Sequence, residues 1–452
     1  MALRHTLIGV AALGVLLPMT APADAATDTA TYEQRISELE AKVQRLEALI
    51  EQQTQVFDAS CARVEEVEEA VASCARIDDV EEAVAEAAPS PTLYEDTAIR
   101  VGGYVKTDAI LSDYSNAPTR GAGDDFFIPS TINTSGESAG PQFNLHAKET
   151  RFWLKSYTPT GRGDISTHFE IDFLAGQQGD ERVGNSFSAR IRHASINWGR
   201  WTVGQTWTNF FHVGTLPEYL HYSGPVGTAL ARQAQVRYTA PASDGDWAFS
   251  LENPETTLTP FGGGPRIDAD DGRFPDLVVR RNWTGDWGRL SAAALVRELR
   301  IGRDGIDDAV LGGAISIAGQ HRLGGDNDVR WQLNMGNALG RYMGLNAFNV
   351  GALDASGNIE LTPQYGAFAA YRHRWTSQLH SSFGLSFAEA DNDTAISGLD
   401  VPKAYQSAHL NIIWVPIPRM SVGAEYIYGR REDESGADGV MNRLQISAKY
   451  VY

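Results

Sequence analysis

Residues 151–173 read RFWLKSYTPTGRGDISTHFEIDF. Before a turn around Thr160–Gly161, Phe152 and Leu154 alternate with Arg151, Trp153 and Lys155; after it, Phe169, Ile171 and Phe173 alternate with His168, Glu170 and Asp172. Successive side chains of a strand point to opposite faces, so each run has one apolar and one polar face. Folding about so short a turn sets the two charged rows side by side. A charged row is costly against lipid, by about 2–4 kcal/mol for Arg or Lys at mid-depth, whereas an apolar row is at home there. The pair therefore reads as two strands of a membrane barrel, apolar side out.

The period of two persists from Ile99 to the C-terminus. Sixteen segments carry it: 99–111, 142–157, 163–174, 186–199, 200–206, 231–240, 246–253, 275–284, 287–300, 308–322, 327–337, 363–375, 378–390, 402–415, 419–431 and 438–452. An even number is what bacterial single-chain barrels have. Short connections such as Thr158–Arg162, Thr284–Asp286 and Val415–Pro418 alternate with long ones at 112–141, 207–230 and 338–362. Outer-membrane barrels need that asymmetry; a soluble sandwich does not. In the last segment Leu444, Ile446, Ala448, Tyr450 and Tyr452 alternate with Gln445, Ser447 and Lys449, and the terminal aromatic resembles the sorting signal of barrel proteins. After residue 26 no stretch approaches the roughly 18 apolar residues of a membrane helix. Mean hydropathy is only −0.27, as inward polar rows would give.

Upstream the pattern changes. Arg4 and His5 precede the apolar run LIGVAALGVLL, and Ala23-Asp24-Ala25-Ala26 follows, so 1–26 reads as a secretory signal peptide cut after Ala25 or Ala26. Within 27–88, Ile36, Leu39, Val43, Leu46 and Ile50 step by three and four, the seam of an α-helical coiled coil. A 13-residue unit then repeats, CARVEEVEEAVAS at 61–73 and CARIDDVEEAVAE at 74–86. So polar a helix needs partners, and identical helices from sister subunits are the simplest. The competing reading is a disordered acidic arm. Cys61 and Cys74 are too far apart along one helix to pair within it, which leaves interchain disulfides or small packing residues. Pro89 and Pro91 open a linker, 89–98, and the barrel takes 99–452. Between Thr27 and Ala98 there are 18 acidic and 5 basic residues, so −13 of the chain's net −19 lies outside the barrel.

Alternation also assigns the lumen. Lys106, Arg151, Lys155, Glu170, Arg190, Arg192 and Arg237 are expected to face inward, with Gln233 and Gln235, while Ile191, Ala234, Val236 and Tyr238 face out. If the turns are symmetric, Arg151 lies opposite Glu170, and Glu170 comes near Arg190 or Arg192. The barrel region holds 27 arginines but only 5 lysines. Guanidinium stays charged and grips carboxylates as a fork. A basic pore wall favours anions; the plainer reading is that each Arg only neutralises a nearby acid.

The stretch from Val203 to Pro241, VGQTWTNFFHVGTLPEYLHYSGPVGTALARQAQVRYTAP, resembles the fifth strand, third loop and sixth strand of trimeric porins, and ETRFWLKSYTPTGRG at 149–163 also resembles porin sequence. Together GGYVKTDAI (102–110), GQTWTNF (204–210), RQAQVRY (232–238) and EYIYGRR (425–431), behind a coiled coil, resemble the DcaP-like trimeric outer-membrane transporters. The resemblance implies a third loop folded into the barrel, a homotrimer, and small anions, notably dicarboxylates, as solutes. It implies a constriction with Arg151, Arg190, Arg192 and either Arg232 or Arg237 facing Glu218 of Pro217-Glu218-Tyr219. By strict alternation Arg232 faces outward, so it joins that wall only if its strand starts irregularly.

Other chemistry finds little support. Gly262-Gly263-Gly264 lacks the Lys-Ser/Thr of a phosphate loop, and the histidines form no H-E-x-x-H. The arginines are not interleaved with aromatics for base stacking, which argues against nucleic acid. No cofactor is expected. The expected location is the outer membrane of a Gram-negative bacterium, in lipid and lipopolysaccharide, with the N-terminal segment in the periplasm, where periplasmic or peptidoglycan contact through the coiled coil is open to it. Rival functions are an envelope tether anchored by its barrel, a non-selective general porin, and a barrel hydrolase.

Overall fold

A computed structural model describes residues 96–175 and 184–452, the backbone of Thr92–Tyr94 and Gly179–Asp180, and, further upstream, only Gln44, which is helical. The signal segment, the coiled coil with Cys61 and Cys74 apart from Gln44, and linker residues 89–91 and 95 lie outside the described residues.

Sixteen antiparallel strands form a closed ring. They are β1 (Thr97–Tyr114), β2 in two pieces (Gln142–His146 and Arg151–Thr158), β3 (Ile165–Asp172), β4 (Arg190–Trp198) and β5 (Trp201–Trp207). β6 (Arg232–Ala242), β7 (Gly245–Glu252), β8 (Asp276–Gly285), β9 (Gly288–Arg303), β10 (Ile306–Leu323) and β11 (Asn327–Gly336) follow. β12 (Gln364–Thr376), β13 (Leu379–Ala390), β14 (Pro402–Ile417), β15 (Met420–Asp433) and β16 (Asp438–Val451) complete it. Each strand pairs with its chain neighbour, and β16 pairs with β1 from Tyr104↔Val451 to Tyr114↔Met441. Closure removes the free edges that lipid could not satisfy.

The faces sort as alternation requires. Leu444, Ile446 and Tyr450 are exposed on the outside of β16, while Arg443, Gln445 and Ser447 are buried inside. Phe152, Phe169, Ile191 and Val236 are likewise exposed. Two details depart from regularity. The second strand, expected as one run, is broken at 147–150. In the β3–β4 pair, Ile171 faces Ile191 but Glu170 faces His193, so Arg192 is the extra residue of a bulge. A bulge re-aims the side chain it carries.

Three long connections fill the upper lumen. Loop 1 (115–141), loop 3 (208–231) and loop 6 (337–363) contribute Phe127, Ile132, Phe210, Val226, Leu339, Met343 and Phe348 to one buried apolar cluster. Only loop 3 is expected inside from the sequence. Loop 4 (253–275) and loop 6 also build a four-stranded sheet from Ile267–Ala269, Thr256–Thr259, Gly351–Leu353 and Ile359–Leu361. Its core of Leu258, Val350 and Leu353 packs on Leu299 and Ile301 of the long strand β9.

Candidate pore constriction

A loop lodged in a lumen must have its backbone polar groups satisfied there. The wall supplies the partners. Lys106 Nζ donates to the Leu220 carbonyl at 2.6 Å, and Arg330 Nη1 to that of Leu216 at 2.6 Å. Asn411 Nδ2 donates to the Glu218 carbonyl at 2.9 Å, and Asn334 Nδ2 to that of Gly227 at 2.7 Å. Glu425 accepts from the Leu220 N–H, and Gln332 Oε1 from the Ala229 N–H at 3.0 Å. Gly227 (φ 75°) passes so close to Ala367 and Phe387 that a side chain would collide with their backbone. Four wall strands, β1, β11, β14 and β15, thus hold loop 3 across the bore.

On one side of the loop lies a guanidinium cluster. Arg192 of the bulge donates to Glu170, and its Nη1 to Asp172 at 2.8 Å. Arg190 forms a fork with Asp172 at 2.9 and 2.7 Å. Arg151 Nε lies 3.4 Å from Glu170. Arg232 shares the parity of outward Ala234 and Val236, yet its guanidinium stacks on Trp207 at 3.9 Å and reaches into the cluster. Among the described residues it has no carboxylate partner, and its Nε has no hydrogen-bond partner. Arg190 and Arg192 are thus matched by Asp172 and Glu170, and Arg232 joins them without such a match among the described residues. The neighbouring network of Lys106, Asp108 and Glu149, with Lys449 on the Tyr104 ring at 4.0 Å, is balanced in charge.

Against models of known families, residues 29–452 match the DcaP outer membrane protein family. The chain belongs to that family. The outer membrane channel DcaP of Acinetobacter baumannii is similar to it, with a TM-score of 0.69 at 22% identity, covering 81% of this chain and 100% of that one. Outer-membrane-expressed OmpT of Vibrio cholerae has a TM-score of 0.50 at 12% identity, covering 80% and 100%. At such identities these structures support the fold alone. No curated protein sequence matches. This DcaP-family chain is thus an outer-membrane β-barrel channel of the porin kind.

Within this DcaP-family barrel the expected site residues separate into groups. Arg151, Glu170, Arg190, Arg192 and Arg232 meet in one cluster. Lys106 serves as a loop anchor, bonded to Glu149 and the Leu220 carbonyl. Lys155 lies over the Trp153 ring at 5.2 Å. Glu218 turns to another wall, 3.2 Å from both Arg372 and His380. Burial opposes its ionisation, but His380 and Arg372 outweigh burial and hold its carboxyl well below the usual range. Arg237, further along β6, has an Nε without a partner among the described residues, and Arg280 of β8 donates to the Phe211 carbonyl at 2.7 Å.

Sequence reasoning misses Tyr222. Its hydroxyl accepts from Arg190 Nη2 at 3.0 Å, Arg192 Nη1 at 2.6 Å and Arg232 Nη2 at 2.6 Å. A loop residue has no periodicity to betray its direction, so no signal in the sequence marks it. Arg372, by contrast, shares the inward parity of Phe368 and Ala370 on β12 and is readable from its strand.

Proposed function

We propose that the channel passes small anionic solutes, carboxylates and dicarboxylates in particular, by passive diffusion past the guanidinium cluster. The observation that carries this reading is Arg232, whose guanidinium joins Arg190 and Arg192 without a carboxylate partner among the described residues. Plain mutual neutralisation would leave no such guanidinium. Guanidinium forks suit carboxylates in geometry as well as charge. Lys155 and Arg237, on the inward rows, extend the basic path. The assembly proposed is a homotrimer in the outer membrane, with the N-terminal segment in the periplasm.

Reversal potentials across a salt gradient in planar bilayers test the reading. Anion selectivity is expected, and a cation-selective channel sinks it.

A further inference from the structure

The Tyr222 hydroxyl occupies the point on which Arg190, Arg192 and Arg232 converge. These contacts, at 2.6–3.0 Å, match those of charge-assisted bonds to an anionic oxygen. A guanidinium only donates, so none of the three can accept the phenolic proton. Among the described residues no other hydrogen-bond acceptor for that proton is present. The site is thus arranged for an oxygen that accepts, and a phenol fills it imperfectly. A carboxylate would fill it well, because its lone pairs take several donors at once.

We propose that the Tyr222 oxygen holds the seat of a solute carboxylate, and that a permeating carboxylate binds by displacing it. The inference rests on the anion-channel reading and names the residue that sets its affinity. The side chain can leave without dragging the loop. Leu220 on one side and Gly227 on the other are bonded to the wall, and Gly224 between them has a φ of 71°, a left-handed turn in the linking backbone. The seat is fixed independently of the loop, since Asp172 and Glu170 orient Arg190 and Arg192, and Trp207 orients Arg232.

Among the described residues, the charged groups facing Tyr222 are Arg190 and Arg192 from β4, Arg232 from β6 and Asp172 from β3, and loop 1 presents the edge of Phe126, at 5.5 Å. Tyr222 belongs to the loop, outside the spanning strands. Burial raises its pKa, but Arg192, Arg232 and Arg190 outweigh burial and bring it to about 7. Above that midpoint the resident oxygen becomes an anion and competes harder. Solute affinity should therefore fall as pH rises through it.

The test uses the full chain in planar bilayers, with succinate as the blocking anion. Above the midpoint by about one pH unit, Tyr222→Phe should lower the half-blocking succinate concentration about tenfold; below it by about one unit the gain should shrink. The ultraviolet difference spectrum of wild type against Tyr222→Phe should show a tyrosinate band that grows through the same midpoint. Weaker or unchanged block in Tyr222→Phe overturns the proposal. Should the variant fold poorly, wild type alone decides: a blocking concentration that does not change through the midpoint overturns it too. A cation-selective wild type would instead defeat the anion-channel reading itself.

Discussion

The Glu218 carboxylate of loop 3 lies 3.2 Å from the Arg372 guanidinium of β12, half-way round the ring from Arg190 and Arg192 on β4. Glu218 therefore serves to hold the loop and does not balance the guanidinium cluster. Arg372 also holds Asp328 at 2.7 Å, so its loss leaves two buried carboxylates short of a partner. Removing one member of a buried ion pair costs about 3–5 kcal/mol. Arg372→Ala should lower the unfolding midpoint accordingly and make the open-channel current noisier as loop 3 loosens. Arg372→Lys should lose less on both counts; equal stability of all three proteins would show that the contact holds nothing.

Gly384 on β13 leaves room for the Tyr219 hydroxyl, which a Cβ at that position would overlap. The Tyr219 ring stacks on His409 at 4.5 Å, but its hydroxyl has no hydrogen-bond partner among the described residues. Gly384→Ala should cost about 1–3 kcal/mol through overpacking. Tyr219→Phe removes an unsatisfied buried group and should be neutral or slightly stabilising. In a double-mutant cycle Tyr219→Phe should recover part of the Gly384→Ala loss, because the overlap disappears. Strict additivity of the two changes would mean that the ring does not sit against Gly384.

The barrel was readable from the sequence because its physics is periodic. Phe152 out and Arg151 in follow from alternation alone, as does the inward row of Glu170, Asp172, Arg190 and Arg192. Register was less readable: Trp153, not Arg151, faces Glu170, and Arg151 reaches Glu170 diagonally. No pattern announces the bulge at Arg192, which brings His193 opposite Glu170. Loops 1 and 6 enter the lumen through aperiodic contacts, such as Ser223 Oγ donating to the Phe127 carbonyl at 2.6 Å and Leu230 N–H to that of Tyr342 at 3.0 Å. Tyr222 was invisible for the same reason. Alternation turns Arg232 outward unless its strand starts irregularly, whereas its guanidinium stacks on Trp207 and reaches Tyr222, a contact with no periodic signature.

Arg232 gives the sharpest selectivity prediction. It is the guanidinium of the cluster without a carboxylate partner among the described residues, so its removal takes away surplus charge and exposes no acid. A charge in a wet lumen is worth up to about 1 kcal/mol to a passing ion, so Arg232→Ala should lower the anion-to-cation permeability ratio by up to about fivefold. Arg190→Ala and Arg151→Ala should also lower it, because Asp172 or Glu170 is left with less compensation. Reversal potentials in a salt gradient measure all three. An unchanged ratio in every variant would place the selectivity elsewhere in the barrel.

The ring closes without the N-terminal segment. β1 begins at Thr97, whose Oγ1 lies 2.9 Å from that of Thr158, and its pairing with β16 runs from Tyr104 onward. Among the described residues, the short strand Thr92–Tyr94 pairs with Thr97 and Ala98. The loop anchors, from Lys106 to Glu425, all belong to the ring. Protein lacking residues 27–95 should therefore still fold, insert and conduct with the same unitary conductance. If the proposed trimer rests on apolar barrel walls, it should survive as well. Light scattering of the detergent-solubilised protein distinguishes the cases: a trimeric mass places the clamp in the walls, whereas a monomeric mass with normal conductance would make the N-terminal segment the clamp.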